Sequence, residues 1–201
     1  MTIPNIRLTR LEAVNRILRK GLGASPILTL TEPLPAEAVT AREKLDDVQR
    51  DLMSEGWDMN TDDLVTVAPD GDGFVHVPAN AIRATYEDKS RAEQNVVVRG
   101  GRMYDETNQT FVFTTSLRLH LVRLLDFTDL EYYLQRYIVA RAAREMQAEM
   151  VGNLERVRTL IADEQNALAA ARRADNDSAR YNILAAPAAA KINSRVQPRL
   201  F

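Results

Sequence analysis

Apolar residues recur at helical spacing in four stretches of the chain, and short β-prone runs separate the second stretch from the third. The first stretch follows Thr9-Arg10-Leu11-Glu12, a capping box that predicts a helix start. Gly21 and Gly23 are expected to end this helix. Pro35 suits the first turn of a second helix and Gly56 suits its end. The inward residues of the two predicted helices are Leu11, Val14, Ile17 and Leu18, and then Ala38, Ala41, Leu45, Val48 and Leu52.

Two further helices are predicted near the end of the chain. A second capping box, Thr128-Asp129-Leu130-Glu131, predicts the start of a third helix that continues towards Gly152. A fourth helix is predicted from Asn153, and the polar run Asp175-Asn176-Asp177-Ser178 is expected to interrupt it. The residues expected to face inward are Leu130, Leu134, Tyr137, Ile138, Ala142 and Met146, and then Leu154, Val157, Ile161 and Leu168.

The middle of the chain favours antiparallel β structure. Residues 64–67 and 74–77 are β-prone and flank a cluster of turn-forming residues, which predicts a hairpin. A second hairpin is predicted from residues 96–99 and 102–104 around two glycines. Residues 110–121 include an alternating leucine run that is expected to extend this hairpin into a meander.

These elements predict an α+β protein, mainly α: a four-helix bundle with an inserted antiparallel β meander and an extended C-terminal arm. The helical body is expected from residues 1–63 and 122–175, and the β portion from residues 64–121. Residues 176–201 are expected to form the arm, because the end of the chain has too little apolar bulk for a core of its own. The charged run from Tyr86 to Asn95 favours a loop.

Charge is nearly balanced over the whole chain but unevenly distributed along it. The 201 residues include 26 Lys and Arg against 28 Asp and Glu, a net charge of -2, so there is no bulk attraction to nucleic acid or to an acidic membrane. The first 24 residues and the last 27 are basic, and residues 25–63 are strongly acidic. This pattern suits a protein that meets charged surfaces in a fixed orientation, and equally suits solvated faces that keep the chain soluble.

The sequence contains no motif of a catalytic, metal or cofactor site. Cysteine is absent, which excludes disulfides and thiol chemistry. His76 and His120 lack neighbouring ligands at metal-binding spacing, and Asp70-Gly71-Asp72-Gly73 lacks the remaining ligands of a calcium loop. The longest apolar run is far below the roughly 18 residues of a membrane span. We therefore expect a soluble, non-enzymatic protein with no cofactor, no metal and no membrane contact.

Several stretches, in order along the chain, are similar to one known family. They are Leu11-Glu12-Ala13-Val14-Asn15-Arg16-Ile17-Leu18 with Gly23-Ala24-Ser25-Pro26, Gly56-Trp57, Arg99-Gly100-Gly101-Arg102-Met103-Tyr104-Asp105 and residues 123–144, with a weaker likeness at Arg180-Tyr181-Asn182-Ile183-Leu184. On these residues the chain resembles the tail tubular protein A family, the head-to-tail adaptor of short-tailed bacteriophages. The basic, Ala-rich end from Ala185 to Phe201 matches no motif of that family.

The resemblance implies a structural virion protein, located in the tail and assembled in the host cytoplasm. It implies a ring of about twelve copies between the portal protein and the tail nozzle protein, which is tail tubular protein B-like, with viral DNA passing through the channel without sequence-specific binding. It implies no enzyme activity. A helical body, a β portion that faces other tail components and a C-terminal arm that grips the portal are also implied.

The charged segments supply an interface hypothesis. The basic first helix or the C-terminal arm is expected to meet an acidic portal surface, and the acidic stretch of the second helix is expected to face a neighbouring copy or the channel. An alternative is a stand-alone helical interaction or regulatory protein that binds nucleic acid through its basic N-terminal helix. The expected interface residues are Arg16, Arg19, Lys20, Asp46, Asp47, Asp51, Arg180, Tyr181, Lys191, Arg195, Arg199 and Phe201.

Overall fold

A computed structural model describes the backbone of residues 7–87 and 95–185, and the side chains of residues 7–87 and 95–178. The chain divides into two compact units: Met1–Leu45 with Leu130–Phe201, which we call the helical unit, and Asp46–Asp129, which we call the β unit. The fold is α+β and mainly α, as predicted from the sequence. The predicted boundaries of a helical body, a β portion and an arm remain a prediction.

The described residues form four α-helices, as predicted. They are α1 (Arg10–Ile17), α2 (Ala36–Glu55), α3 (Tyr132–Met150) and α4 (Leu154–Ala185). In the helical unit, α3 packs against α1 and α4. The packing of all four helices into a single bundle remains a prediction.

The capping box of α1 forms as predicted. The Thr9 hydroxyl oxygen accepts from the Glu12 backbone N–H at 3.2 Å, and a Glu12 carboxylate oxygen accepts from the Thr9 backbone N–H at 2.8 Å. The helix then widens into a π-helical segment, Leu18–Leu22, and ends at Gly23, whose φ of 69° is left-handed. Because glycine has no Cβ, it adopts this conformation without strain.

Two predictions about the later helices are wrong. Thr128 does not begin α3, because Phe127–Asp129 is a short 3-10 turn and Glu131 is the residue that precedes the helix. The polar run at residues 175–178 does not interrupt α4, which continues to Ala185. Asp, Asn and Ser are unfavourable but tolerated within a helix, so their propensity alone does not end it.

In the described part of the β unit, five strands form two antiparallel sheets. The strands β1 (Thr61–Val67), β5 (Leu117–Arg123) and β2 (Ala81–Tyr86) lie in this order in one sheet. The strands β3 (Val96–Arg99) and β4 (Arg102–Asp105) form the other, which is the predicted hairpin around Gly100 and Gly101. The antiparallel character of this region is therefore confirmed.

The strand pairing differs from the prediction in two places. Residues 64–67 pair with β5 and not with residues 74–77, where Phe74 and His76 instead make isolated bridges to Val112 and Arg102. The continuous meander is also wrong, because β5 lies between β1 and β2 and does not extend the β3–β4 hairpin. Most of the loop predicted from Tyr86 to Asn95 lies outside the described residues. Of its described residues, Tyr86 ends β2, and Glu87 and Asn95 belong to neither a helix nor a strand.

Each unit contains its own buried apolar residues. In the β unit, one face of β5 packs with residues from β3, β4 and the connecting segments. This cluster consists of Val75, Val96, Met103, Phe113, Leu117, Leu119 and Leu121. In the helical unit, the buried side chains include Val14, Ile17, Leu18, Leu134, Ile138, Ala142 and Met146, all of which the helical spacing predicts.

Candidate interaction surfaces

The predicted basic residues of the first helix lie beside α4. Arg16 and Lys20 are partly buried, whereas Arg19 is exposed. The Lys20 ammonium is 3.0 Å from the Asp163 carboxylate of α4. Arg16, Lys20 and Arg136 line a shallow depression together with Asp163, so cationic side chains outnumber carboxylates there. We call these four residues the basic depression.

The π-helical segment presents backbone carbonyl groups to an arginine of α4. The Arg156 guanidinium donates to the Lys20 carbonyl oxygen, at 2.9 Å from Nη2 and 3.3 Å from Nε, and Nη2 also lies 3.4 Å from the Arg19 carbonyl oxygen. Carbonyl groups at a helix end lack intrahelical partners, and a cation there also compensates the negative end of the helix dipole. No local signal predicts this role, because Arg156 is 136 residues away in sequence from Lys20.

The predicted acidic surface lies along α2. Asp47, Asp51 and Glu55 are exposed and spaced four residues apart, so they lie on one face of the helix. We call these three residues the acidic stripe. Asp46 is partly buried and lies on an adjacent side of the helix, since successive residues are about 100° apart. Arg50 pairs with Asp47 at 3.3 Å across exposed surface.

The acidic stripe is unfavourable for the isolated helix. Like charges four residues apart repel by about 0.2–0.5 kcal/mol per pair. Glu55 also lies at the negative C-terminal end of the helix dipole, and α2, every residue of which is described, has no basic residue in its last turn, although the Arg83 guanidinium lies beside Gly56 at this end. The charge pattern within α2 alone therefore does not favour a carboxylate at position 55.

Buried amides hold backbone segments within each unit. In the helical unit, Gln135 is fully buried, accepts from the Leu8 N–H at 2.6 Å and donates to the Leu8 carbonyl oxygen at 3.1 Å. In the β unit, Asn60 accepts from the Trp57 N–H at 2.7 Å and donates to the carbonyl oxygens of Met53 and Arg123. Neither role is predictable from the sequence, because neither residue belongs to an apolar pattern or a motif.

An exposed apolar surface forms where α3 turns into α4. Met150, Val151 and Leu154 are between 45% and 72% exposed, and Ile161 is 38% exposed. The prediction that Leu154 and Ile161 face inward is therefore wrong for this chain. Both have the helical spacing of core residues, but spacing alone does not determine which turns of a long helix another element covers.

The predicted C-terminal residues fall at or beyond the end of the described structure. The backbone of Arg180 and Tyr181 is part of α4, but their side chains are outside the described set. Lys191, Arg195, Arg199 and Phe201 lie outside the described residues.

The turn at residues 70–73 has the geometry of an aspartate-initiated turn. One Asp70 carboxylate oxygen accepts from the backbone N–H groups of Asp72 and Phe74, and the other lies 2.9 Å from His76 Nε2. The N–H of Phe74 and then the imidazole of His76 hold the pKa of the Asp70 carboxyl below its ordinary value. This geometry agrees with the interpretation of the segment as a turn.

None of the described helices has the length and apolar character needed to cross a membrane.

Comparison with known proteins identifies the family. A family model described as Tube, tail tubular protein, matches residues 11–181. Tail tubular protein A of Klebsiella phage KP34 is 34% identical over 120 residues, which is 60% of this chain and 61% of that relative. The matched stretch thus spans less than two thirds of that relative's length. The chain belongs to the tail tubular protein family, whose members are structural proteins of bacteriophage tails and not enzymes.

Proposed function

We propose that this tail protein is the head-to-tail adaptor, tail tubular protein A-like, which forms a dodecameric ring between the portal protein and the tail nozzle protein and provides the channel for DNA ejection. Its function is structural and requires no catalytic group. It joins the virion during assembly in the host cytoplasm. Viral DNA passes through the ring without sequence-specific contacts.

The observation that carries this proposal is the presence of two oppositely charged surfaces on one chain. Subunits in a ring meet through heterologous interfaces, in which one surface of each copy contacts a different surface of the next. The acidic stripe of α2 and the basic depression of the helical unit are two such surfaces. We propose that the stripe of one copy contacts the depression of the next, because opposite charges would then orient the subunits during assembly.

The unfavourable position of the stripe supports this role. The carboxylate of Glu55 lies at the helix end where the dipole disfavours negative charge. Contact with cationic groups of a neighbouring copy would reverse the sign of this interaction. The stripe is therefore placed well for contact between subunits and poorly for the stability of a single chain.

The C-terminal segment has a separate proposed role. Residues 186–201 contain Lys191, Arg195 and Arg199 and no acidic residue. We assign this segment, together with Arg180 and Tyr181, to the portal contact, because a cationic segment is suited to an acidic protein surface.

Neutralising the stripe tests the subunit contact. We expect Asp47→Asn, Asp51→Asn and Glu55→Gln together to lower the yield of rings in native mass spectrometry while the monomer remains folded by circular dichroism. The matched control is Asp72→Asn, Asp126→Asn and Asp129→Asn, which removes the same charge from exposed positions outside α2. Equal ring yields from the two triple variants would contradict the proposed contact.

A second readout separates subunit contact from channel lining. If the stripe lines the channel, the triple variant will assemble normally but eject DNA more slowly, because neutral walls repel the phosphates less. That result would contradict the contact between stripe and depression. Salt-sensitive binding of DNA by the isolated monomer would contradict the adaptor proposal and support the nucleic-acid-binding alternative.

A further inference from the structure

The β unit contains two histidine–aspartate pairs that differ in their surroundings. His76 Nε2 is 2.9 Å from Asp70 Oδ2, and its side chain is 59% exposed. His120 Nδ1 is 2.6 Å from Asp63 Oδ1, and its side chain is 23% exposed. A third potential ligand, Glu87, lies beside the second pair. One ligand atom from each of Asp63, Glu87 and His120 lies within 4.8 Å of the other two.

Three neighbouring strands bring these residues together. Asp63 lies on β1, His120 on the central strand β5, and Glu87 directly after β2. The Glu87 N–H donates to the Arg118 carbonyl oxygen at 3.0 Å, which holds the end of β2 beside β5. Regular antiparallel pairing of β2 with β5 thus accounts for the positions of Glu87 and His120.

The third residue, Asp63, lies in a backbone irregularity of β1. The register of β1 against β5 shifts between Asp62 and Val65, and Leu64 has a φ of 56°, which is uncommon for a residue other than glycine. Such bulges change the direction of a side chain relative to the regular sheet. The bulge contains Asp63, whose carboxylate reaches His120 across the strand pair.

We propose that Asp63, Glu87 and His120 bind a zinc ion that links the three strands. Imidazole nitrogen and carboxylate oxygen are both ligands of Zn²⁺, at about 2.0–2.2 Å, whereas Mg²⁺ and Ca²⁺ take oxygen ligands. Ligand atoms around a tetrahedral zinc ion lie about 3.4 Å apart, so atoms at the 4.8 Å limit must approach one another by about 1.4 Å to close the site. Asp63 and Glu87 are exposed at the surface and have room for this movement.

The two carboxylates also match the charge of the ion. Together they supply two negative charges for a divalent cation, and the imidazole must bind in its unprotonated form. Three protein ligands leave at least one coordination position for water.

The experiment is a calorimetric titration of the full chain, free of any affinity tag, with zinc chloride. We expect one zinc ion per wild-type chain. Glu87→Gln and His120→Ala should each weaken binding by at least about tenfold, because each removes a direct ligand and even supporting residues are typically worth 10–100-fold. His76→Ala is the matched control, since it removes the other paired histidine, and it should bind zinc as the wild type does.

A thermal melt with and without zinc is the second readout. Binding to the folded state alone raises Tm, so a given zinc concentration should raise Tm of the wild type and of His76→Ala more than that of Glu87→Gln. Glu87 is exposed, so this variant tests the site even if His120→Ala fails to fold. Absence of zinc binding by the folded wild type would overturn the proposal. Wild-type affinity in Glu87→Gln, or equal loss in His76→Ala, would also overturn it.

Discussion

The cationic surface of the helical unit and the anionic surface of α2 are built in opposite ways. Lys20 pairs with Asp163, and Arg156 donates to the carbonyl groups at the end of the π-helical segment, so these cations stabilise their own unit. In α2, Glu55 instead lies at the helix end where the dipole disfavours negative charge. The first surface therefore contributes to the folding of its own unit, whereas Glu55 of the second surface is unfavourable for its own helix.

This difference shows that a charged stretch of sequence can either stabilise the chain itself or form a surface for another molecule. The first 24 residues are basic, but two of the cations in the depression are partly buried and one pairs within the chain. Exposed ion pairs such as Lys20–Asp163 contribute at most about 1 kcal/mol. The acidic stripe is the stronger indication of an external partner, because like charges are retained together on one exposed helix face.

The largest expected effect concerns the internal polar contacts of the helical unit. Gln135→Leu removes both hydrogen bonds to the buried Leu8 backbone. We expect a loss of roughly 1–3 kcal/mol in the free energy of unfolding for each backbone group left unpaired. Urea denaturation measures it, with Gln165→Leu on exposed surface of α4 as the control. Equal stability of the two variants would contradict the role of Gln135.

A smaller loss is expected at the end of the π-helical segment. Arg156→Ala should destabilise the chain by about 0.5–1.5 kcal/mol, because it removes the donors to the Lys20 carbonyl oxygen. Arg158→Ala, two residues further along α4, is the control for loss of one exposed positive charge. Urea denaturation of both variants would show whether the position of the charge matters. If Arg158→Ala were the more destabilising variant, the capping role of Arg156 would be wrong.

The stripe should respond in the opposite direction. We expect Glu55→Gln to stabilise the monomer by about 0.3–1 kcal/mol at low salt, because it removes an unfavourable charge at the helix end. Thermal melts at low and high ionic strength measure the gain, which salt should reduce. Asp72→Asn, in an exposed turn, is the charge control. A loss of monomer stability in Glu55→Gln would remove the contrast between the two surfaces.

The smallest expected effect concerns the capping box and pH. The Thr9 backbone N–H, followed by its hydroxyl, lowers the pKa of Glu12 below the ordinary value of 4.5. The ionised carboxylate therefore contributes stability above that value, and the contribution is lost as the pH falls through the lowered pKa. Since Glu12 is exposed, we expect only about 0.3 kcal/mol.

Melts of the wild type and Glu12→Gln between pH 7 and pH 3 test this prediction. The difference in stability between the two proteins should shrink towards acid pH. A difference that grows towards acid pH would contradict the assigned direction of the pKa shift.

Local sequence signals predict the parts of the fold that local interactions determine. The capping box at Thr9, the left-handed Gly23 and the hairpin at Gly100 and Gly101 all involve residues close together in sequence, and all three form as predicted. The helix stop at residues 175–178 fails because unfavourable propensity only lowers helix stability and is readily outweighed.

Long-range pairing is the part that the sequence pattern does not determine. The alternation of apolar and polar residues in β5 fits any antiparallel sheet, so it does not specify which strands pair with β5. Its place between β1 and β2 depends on packing over the whole β unit. The same applies to chemistry: His120 has no ligand near it in sequence, and only the pairing of three strands brings Asp63 and Glu87 close to it. The acidic character of α2 is a local property of the sequence, and Asp47 and Asp51 of the stripe are among the expected interface residues, whereas Glu55 is not and the expected Asp46 lies on an adjacent side of the helix.

The most direct test of the adaptor proposal is mass photometry of the purified chain, alone and after mixing with the portal ring of the same phage. The proposal predicts a monomer or small oligomer that joins the portal as a ring of about twelve copies, and a reduced yield of that complex for the neutralised stripe. A chain that never joins the portal ring would contradict the proposal.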